Sequence, residues 1–211
     1  MFKIEVQGEI YKDQYIEMNT YIVDYQGECY IVDPGYEKEK IQKVVADNNL
    51  TVKGIILTHS HLDHISATDA FDVPIYMYEK EYDLFMYNYN DLYEERGIVR
   101  HYNLDGRSFI KLKDGDTLPL GDKEITFVPT AGHTMGGVCY IFENDMFSGD
   151  TLFKGAVGRS DLKTGNMNDL KESIVRLINS QNEDLRVHPA HGASTSIGFE
   201  KKYNPYYNAW K

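Results

Sequence analysis

Between residues 57 and 65 the chain reads LTHSHLDHI, which places three of its seven histidines within six residues and an aspartate between the second and third. Histidines packed this closely would repel one another if protonated. A shared cation removes that conflict, because neutral imidazole and carboxylate are suitable ligands for zinc, iron or manganese. The alternation sends His59 and His61 toward one point, while Asp63 and His64 address a neighbouring one. The stretch therefore predicts a metal site.

Four further residues of ligand type stand in comparable settings. His133 lies in the Gly-rich PTAGHTMGG, Asp150 in FSGDTLF, His191 in the Pro/Gly turn of VHPAHG, and Asp33 in IVDPG. Each follows an apolar, strand-like run. Loops at strand ends can converge while the strands hold them rigid, so these positions suit a common site.

The elements that must position these residues are legible in outline. YIEMNTYIVD and ECYIVD are β-rich runs separated by YQG, a hairpin signal, and Asp33-Pro34-Gly35 ends the second. Ile41, Val44 and Val45 recur at helical spacing over residues 37 to 48, which predicts an amphipathic helix. VKGIILT is a short apolar run of the kind buried in a sheet, and the histidine cluster begins on the loop where it ends. The tyrosine-dense residues 79 to 103 read as a helical pair whose rings pack on the body, with a lid over a substrate pocket as the alternative. EITFVPT, GVCYIF and DMFSGD read as strands. Leu170, Ile174, Leu177 and Ile178 form one stripe of a helix over 168 to 180, whose start at Asn166 to Asp169 carries capping side chains. LRVHPAHG is a short strand with a loop. Two halves of similar strand-and-helix grammar suggest two sheets packed face to face with helices outside.

Composition bounds the class. The 211 residues with 42% hydrophobic content are read as one domain, 1–211, with no linker dividing it. A net charge of −11 disfavours nucleic acid and anionic membrane as partners. The first ten residues, MFKIEVQGEI, alternate like a strand rather than a signal peptide, and no eighteen apolar residues run together, so a cytoplasmic location is expected. Cys29 and Cys139 lie in apolar strand-like runs and read as buried thiols. His101 reads as a surface or packing residue, and His188 as a hydrogen-bonded structural one.

The segments IVDPG, LTHSHLDH, AGHTMGG, SGDTLF and HPAHG, in this order, resemble the metallo-β-lactamase superfamily, and within it the glyoxalase II (hydroxyacylglutathione hydrolase) branch, in a short bacterial form without the C-terminal helical module. The resemblance implies a four-layer αββα sandwich, two mixed β-sheets with helices on both outer faces. It implies that His59, His61 and His133 bind one metal, that Asp63, His64 and His191 bind a second, and that Asp150 bridges both. Asp33 would touch no metal and would steady the histidine loop by hydrogen bonds. The cofactors implied are two divalent ions, zinc first, with iron or manganese accepted by the same donors.

The activity implied is hydrolysis of a small-molecule thioester, an S-acyl glutathione or related small-thiol ester, by hydroxide bridging the two metals, with Asp63 additionally orienting it. Arg159, in GAVGRSD, stands where the family holds the thiol carrier, with a purely loop-tying role through Asp161 as the competing reading. The tyrosines that accompany these segments in glyoxalase II are replaced here by Asp161 and Ala193, which puts glutathione itself in doubt. Persulfide dioxygenases share H-x-H-x-D-H and G-R-[ST]-D, and would use one iron on His59, His133 and Asp150. A lactonase and a non-catalytic metal-binding protein are further alternatives. The oligomeric state is not legible.

Overall fold

The structure, a computed structural model, describes residues 1–11, 14–87 and 102–211. These fall into two compact units, Met1–Leu112 with Leu120–Lys123 and Lys113–Pro119 with Glu124–Lys211.

The first unit carries a six-stranded sheet in the order β1 (Phe2–Tyr11), β2 (Gln14–Tyr25), β3 (Glu28–Val32), β4 (Thr51–Leu57), β5 (Ile75–Tyr78) and β6 (Phe109–Leu112). The first two pairings are antiparallel and the remaining three parallel, so the sheet is mixed. The β2–β3 hairpin closes on Gln26 and Gly27, both at positive φ (51° and 81°), with Tyr25 opposite Glu28. That backbone twist suits a two-residue connection between strands. The parallel β3–β4 pair needs a crossover, and α1 (Lys38–Asp47) supplies it, burying Ile41 and Val45. Ile55, Ile56 and Leu57 of β4 are all buried, as a central parallel strand requires.

One expectation changes in detail. The histidine segment is not loop throughout, because Leu62–Ile65 form a helical turn, α2, that carries Asp63 and His64. Of the tyrosine-rich segment, Tyr82–Tyr87 form α3 with Phe85 buried. Residues 88–101, including His101, lie outside the described residues.

The second sheet has the order β14 (Thr195–Ser196), β13 (Arg186–Pro189), β10 (Asp145–Gly149), β9 (Val138–Phe142), β8 (Lys123–Pro129) and β7 (Leu118–Leu120). It is also mixed: β10 and β13 run parallel, and the pairs on either side of them run antiparallel. A small hairpin, β11 (Leu152–Phe153) with β12 (Ala156–Val157), follows Asp150. The parallel pair is joined through α4 (Met167–Ser180), capped by the Asn166 side chain, which accepts from the Asn168 and Asp169 amides. Its stripe of Leu170, Ile174, Leu177 and Ile178 packs in one core with Cys139, Met146 and Val187.

Two short helices, α5 (Ile197–Tyr203) and α6 (Pro205–Trp210), close the chain and were not anticipated from its sequence. Both cysteines are free and buried, and burial pushes the Cys29 and Cys139 thiols up to about 12 and about 11. Among the described residues no helix is long and apolar enough to cross a membrane. Ile174 is fully buried in the core that α4 completes. I174A is therefore expected to lower unfolding free energy by about 2–5 kcal/mol, read as a lower urea midpoint at unchanged slope.

Candidate metal centre

In the first unit the site is organised by Asp33, 2% exposed and held at φ 47°. A buried carboxylate must be satisfied by donors, and three converge on it. The Thr58 amide donates to Oδ1 at 2.7 Å, the Thr58 hydroxyl to Oδ2 at 2.5 Å, and His64 Nδ1 to Oδ2 at 2.9 Å. The turn after Asp33 is pressed against the helical turn of the histidines. A Cβ on Gly35 would stand 2.2 Å from the Asp63 carbonyl oxygen, so only glycine fits.

These bonds fix where the imidazole lone pairs point. His64 spends Nδ1–H on Asp33, which leaves Nε2 as the acceptor, 3.6 Å from Asp63 Oδ2. The Thr58 hydroxyl is already donating to Asp33, so His59 Nδ1, 3.1 Å away, is the donor in that pair. His59 Nε2 then carries a lone pair, and it lies 3.1 Å from His61 Nδ1. Two nitrogens on one tetrahedral zinc stand about 3.3 Å apart. Asp33, His59 and His64 also each bring one ligand atom within 4.8 Å of the others. With three donors on its carboxylate, Asp33 is better suited to hold the ligands than to be one.

The second unit repeats the logic with different parts. His133 Nδ1 donates to the Arg159 carbonyl at 2.7 Å, so its Nε2 is an acceptor, aimed at Asp150 Oδ2 from 3.5 Å. His191 Nε2 lies 3.5 Å from the other oxygen of Asp150, Oδ1. The donors are placed by close backbone packing. A Cβ on Gly132 would meet the Leu170 backbone at 2.3 Å, and the Ser173 hydroxyl donates to the Ala131 carbonyl, so the His133 loop is seated on α4. The Ala190 amide donates to the Gly149 carbonyl at 3.0 Å, which ties the His191 turn to the strand leading into Asp150. Ring nitrogens and carboxylate oxygens that face one another across such distances, with the Nδ1 proton of His133 already used on a carbonyl, suit a shared cation. The donor set fits divalent metal.

Arg159 is exposed and its guanidinium grips Asp161, Nε to Oδ1 and Nη2 to Oδ2, both at 2.7 Å. His188, by contrast, is engaged outside this donor set, with Nε2 2.6 Å from Asp145 Oδ1 and Nδ1 3.0 Å from Ser194 Oγ. Two residues of the first unit escaped the sequence reading. One is Thr58, which relays Asp33 to His59. The other is Glu81, 1% exposed, whose Oε1 accepts from both the amide and the hydroxyl of Ser60 at 2.9 and 2.7 Å and so pins the middle of HSH. No spacing rule marks either residue.

The model of the metallo-beta-lactamase superfamily matches residues 18–191. A curated relative, "Probable metallo-hydrolase M6_Spy0554" of Streptococcus pyogenes, is 34% identical over 203 residues, covering 90% of this chain and 85% of its own. Among solved structures, that of TTHA1623 in a di-iron-bound form superposes with TM-score 0.81 at 30% identity, covering 98% of this chain and all of that one. The B3 metallo-beta-lactamase BLEG-1 superposes with TM-score 0.78 at 29% identity, covering 98% and 99%.

Asn tolerates the left-handed backbone of position 33 but presents one acceptor oxygen to three donors. D33N is expected to keep the fold by circular dichroism and to bind zinc about 10- to 100-fold more weakly in competition with a chromophoric chelator. Unchanged affinity would assign Asp33 to folding alone.

Proposed function

The chain belongs to the metallo-β-lactamase superfamily of metal-dependent hydrolases, and from that premise we propose that it cleaves thioesters in the manner of glyoxalase II. The observation that carries this reading is the pairing of ligand atoms in each unit: His59 Nε2 with His61 Nδ1, His64 Nε2 with Asp63, and both His133 and His191 with Asp150. In the proposed assignment His59, His61 and His133 hold one cation, Asp63, His64 and His191 hold a second, and Asp150 serves both. Residues 1–211 then act as one catalytic domain. When bound, two divalent ions, zinc in the first instance, acidify water toward neutral pH and polarise an acyl carbonyl.

The chain's own groups do the positioning. Asp63 accepts a hydrogen bond from the attacking water and holds its lone pair toward the acyl carbon. Asp33 keeps the His64 ring from rotating, and the Arg159 carbonyl does the same for His133, so neither donor reorganises during turnover. A thiolate leaving group has a pKa near 8.5, so it departs without a dedicated general acid. Arg159 meets the thiol carrier. Thioesters are favoured over β-lactams because a thiolate leaves without the protonation that an amide leaving group needs.

The test is a substrate panel on the purified protein: S-lactoylglutathione, an S-acyl N-acetylcysteamine, a chromogenic β-lactam, and glutathione persulfide with an oxygen electrode. Thioester cleavage is expected, lost on chelation and restored by zinc, iron or manganese. Oxygen uptake without thioester cleavage would replace this reading with a one-iron dioxygenase. β-Lactam turnover alone would replace it with a lactamase.

A further inference from the structure

Arg159 is placed by the donor residues themselves. His133 Nδ1 clamps its carbonyl, and a Cβ on the preceding Gly158 would stand 1.8 Å from the Asp150 carbonyl oxygen and 3.3 Å from His133 Nδ1. The arginine is thus seated beside the second-unit donors. Its side chain is already engaged, since Nε and Nη2 both reach Asp161 at 2.7 Å. That two-pronged grip is the one by which a guanidinium would take the carboxylate of a substrate.

The pair is not a buried tie. Its side chains are 60% and 68% exposed, where ion pairs add little to stability. The Arg159 guanidinium and, after it, the Asp161 backbone amide hold the Asp161 carboxyl down at about 2. Asp161 is therefore ionised throughout the neutral range, and the pair presents no net charge. Met167, whose sulfur lies 3.8 Å from the hydroxyl of Ser160, between the two partners, is half exposed. A flexible thioether surface suits an uncharged carrier better than an ionic one.

We propose that Asp161 determines carrier specificity: by holding both prongs of Arg159 it selects against thioesters whose thiol part presents a carboxylate, and favours carriers uncharged at that end. The proposal rests on the reading that Arg159 meets the thiol carrier. A carboxylate entering this position must displace Asp161 and stand beside its charge, whereas a neutral carrier leaves the pair in place.

The test separates binding from turnover. S-methylglutathione, which cannot be hydrolysed, is titrated calorimetrically into wild type, D161N and the double variant R159A/D161N, all metal-loaded. D161N is expected to bind it at least about five-fold more tightly than wild type, and the double variant to lose that gain. In parallel, the ratio of KM for S-lactoylglutathione to KM for the N-acetylcysteamine thioester should fall in D161N by a similar factor. Equal affinity of wild type and D161N for S-methylglutathione, including no measurable binding to either, would overturn the assignment even if both thioesters are cleaved. Tighter binding by D161N with no thioester cleaved by any variant would keep the assignment and overturn the thioesterase reading.

Discussion

The buried carboxylate of Asp33 is the constraint on which the first unit's chemistry depends. A carboxylate at 2% exposure is tolerable only when its oxygens are satisfied, and leaving one without its donor costs about 1–3 kcal/mol. Its partners are the residues that must be oriented. Thr58, the first residue after β4, gives both its amide and its hydroxyl, and His64 gives Nδ1–H. Satisfying Asp33 therefore fixes the ring of His64 directly and that of His59 through the Thr58 hydroxyl. Stability and ligand orientation are the same set of hydrogen bonds.

The second unit orients its His133 ring without a carboxylate on the Nδ1 side. There a backbone carbonyl, that of Arg159, takes the Nδ1 proton of His133, and the loop supplying it is held by packing too close for any side chain at Gly158. The hairpin between Asp150 and Arg159 is anchored from the C-terminal helices. Glu200, fully buried, accepts from the Gly155 amide and from Asn204, which also donates to the Ala156 carbonyl. The residues that carry Arg159 and Asp161 are thus continuous with a fixed frame, and the exposed ion pair is the part left adjustable.

What could be read from the sequence was what local pattern determines. Alternation and apolar runs located the principal strands, the Asn166 cap and the Leu170 to Ile178 stripe located α4, and the density of histidine in HSHLDH pointed to metal before any geometry was known. The helical turn beneath Asp63 and His64 was not legible, because four residues carry too little periodicity. Glu81 and Glu200 were invisible for a different reason. A glutamate in a charge-rich run such as EKEYD, or in IGFEKK, has the pattern of a solvated face, and only tertiary packing converts it into a buried acceptor. Thr58 looked like the last residue of a strand, and its two bonds to Asp33 span 25 positions of sequence. The competition for Arg159 was half legible, since Asp161 stands two residues away, but the two-pronged grip is a matter of side-chain geometry.

In the proposed assignment one chain holds two cations. Elemental analysis of the protein, after reconstitution with excess zinc and removal of loosely bound ions by gel filtration, tests it most directly. Two equivalents per chain are predicted, falling to one or fewer when Asp150 is replaced by Ala. A single equivalent in the unaltered chain, whichever metal is offered, would contradict it.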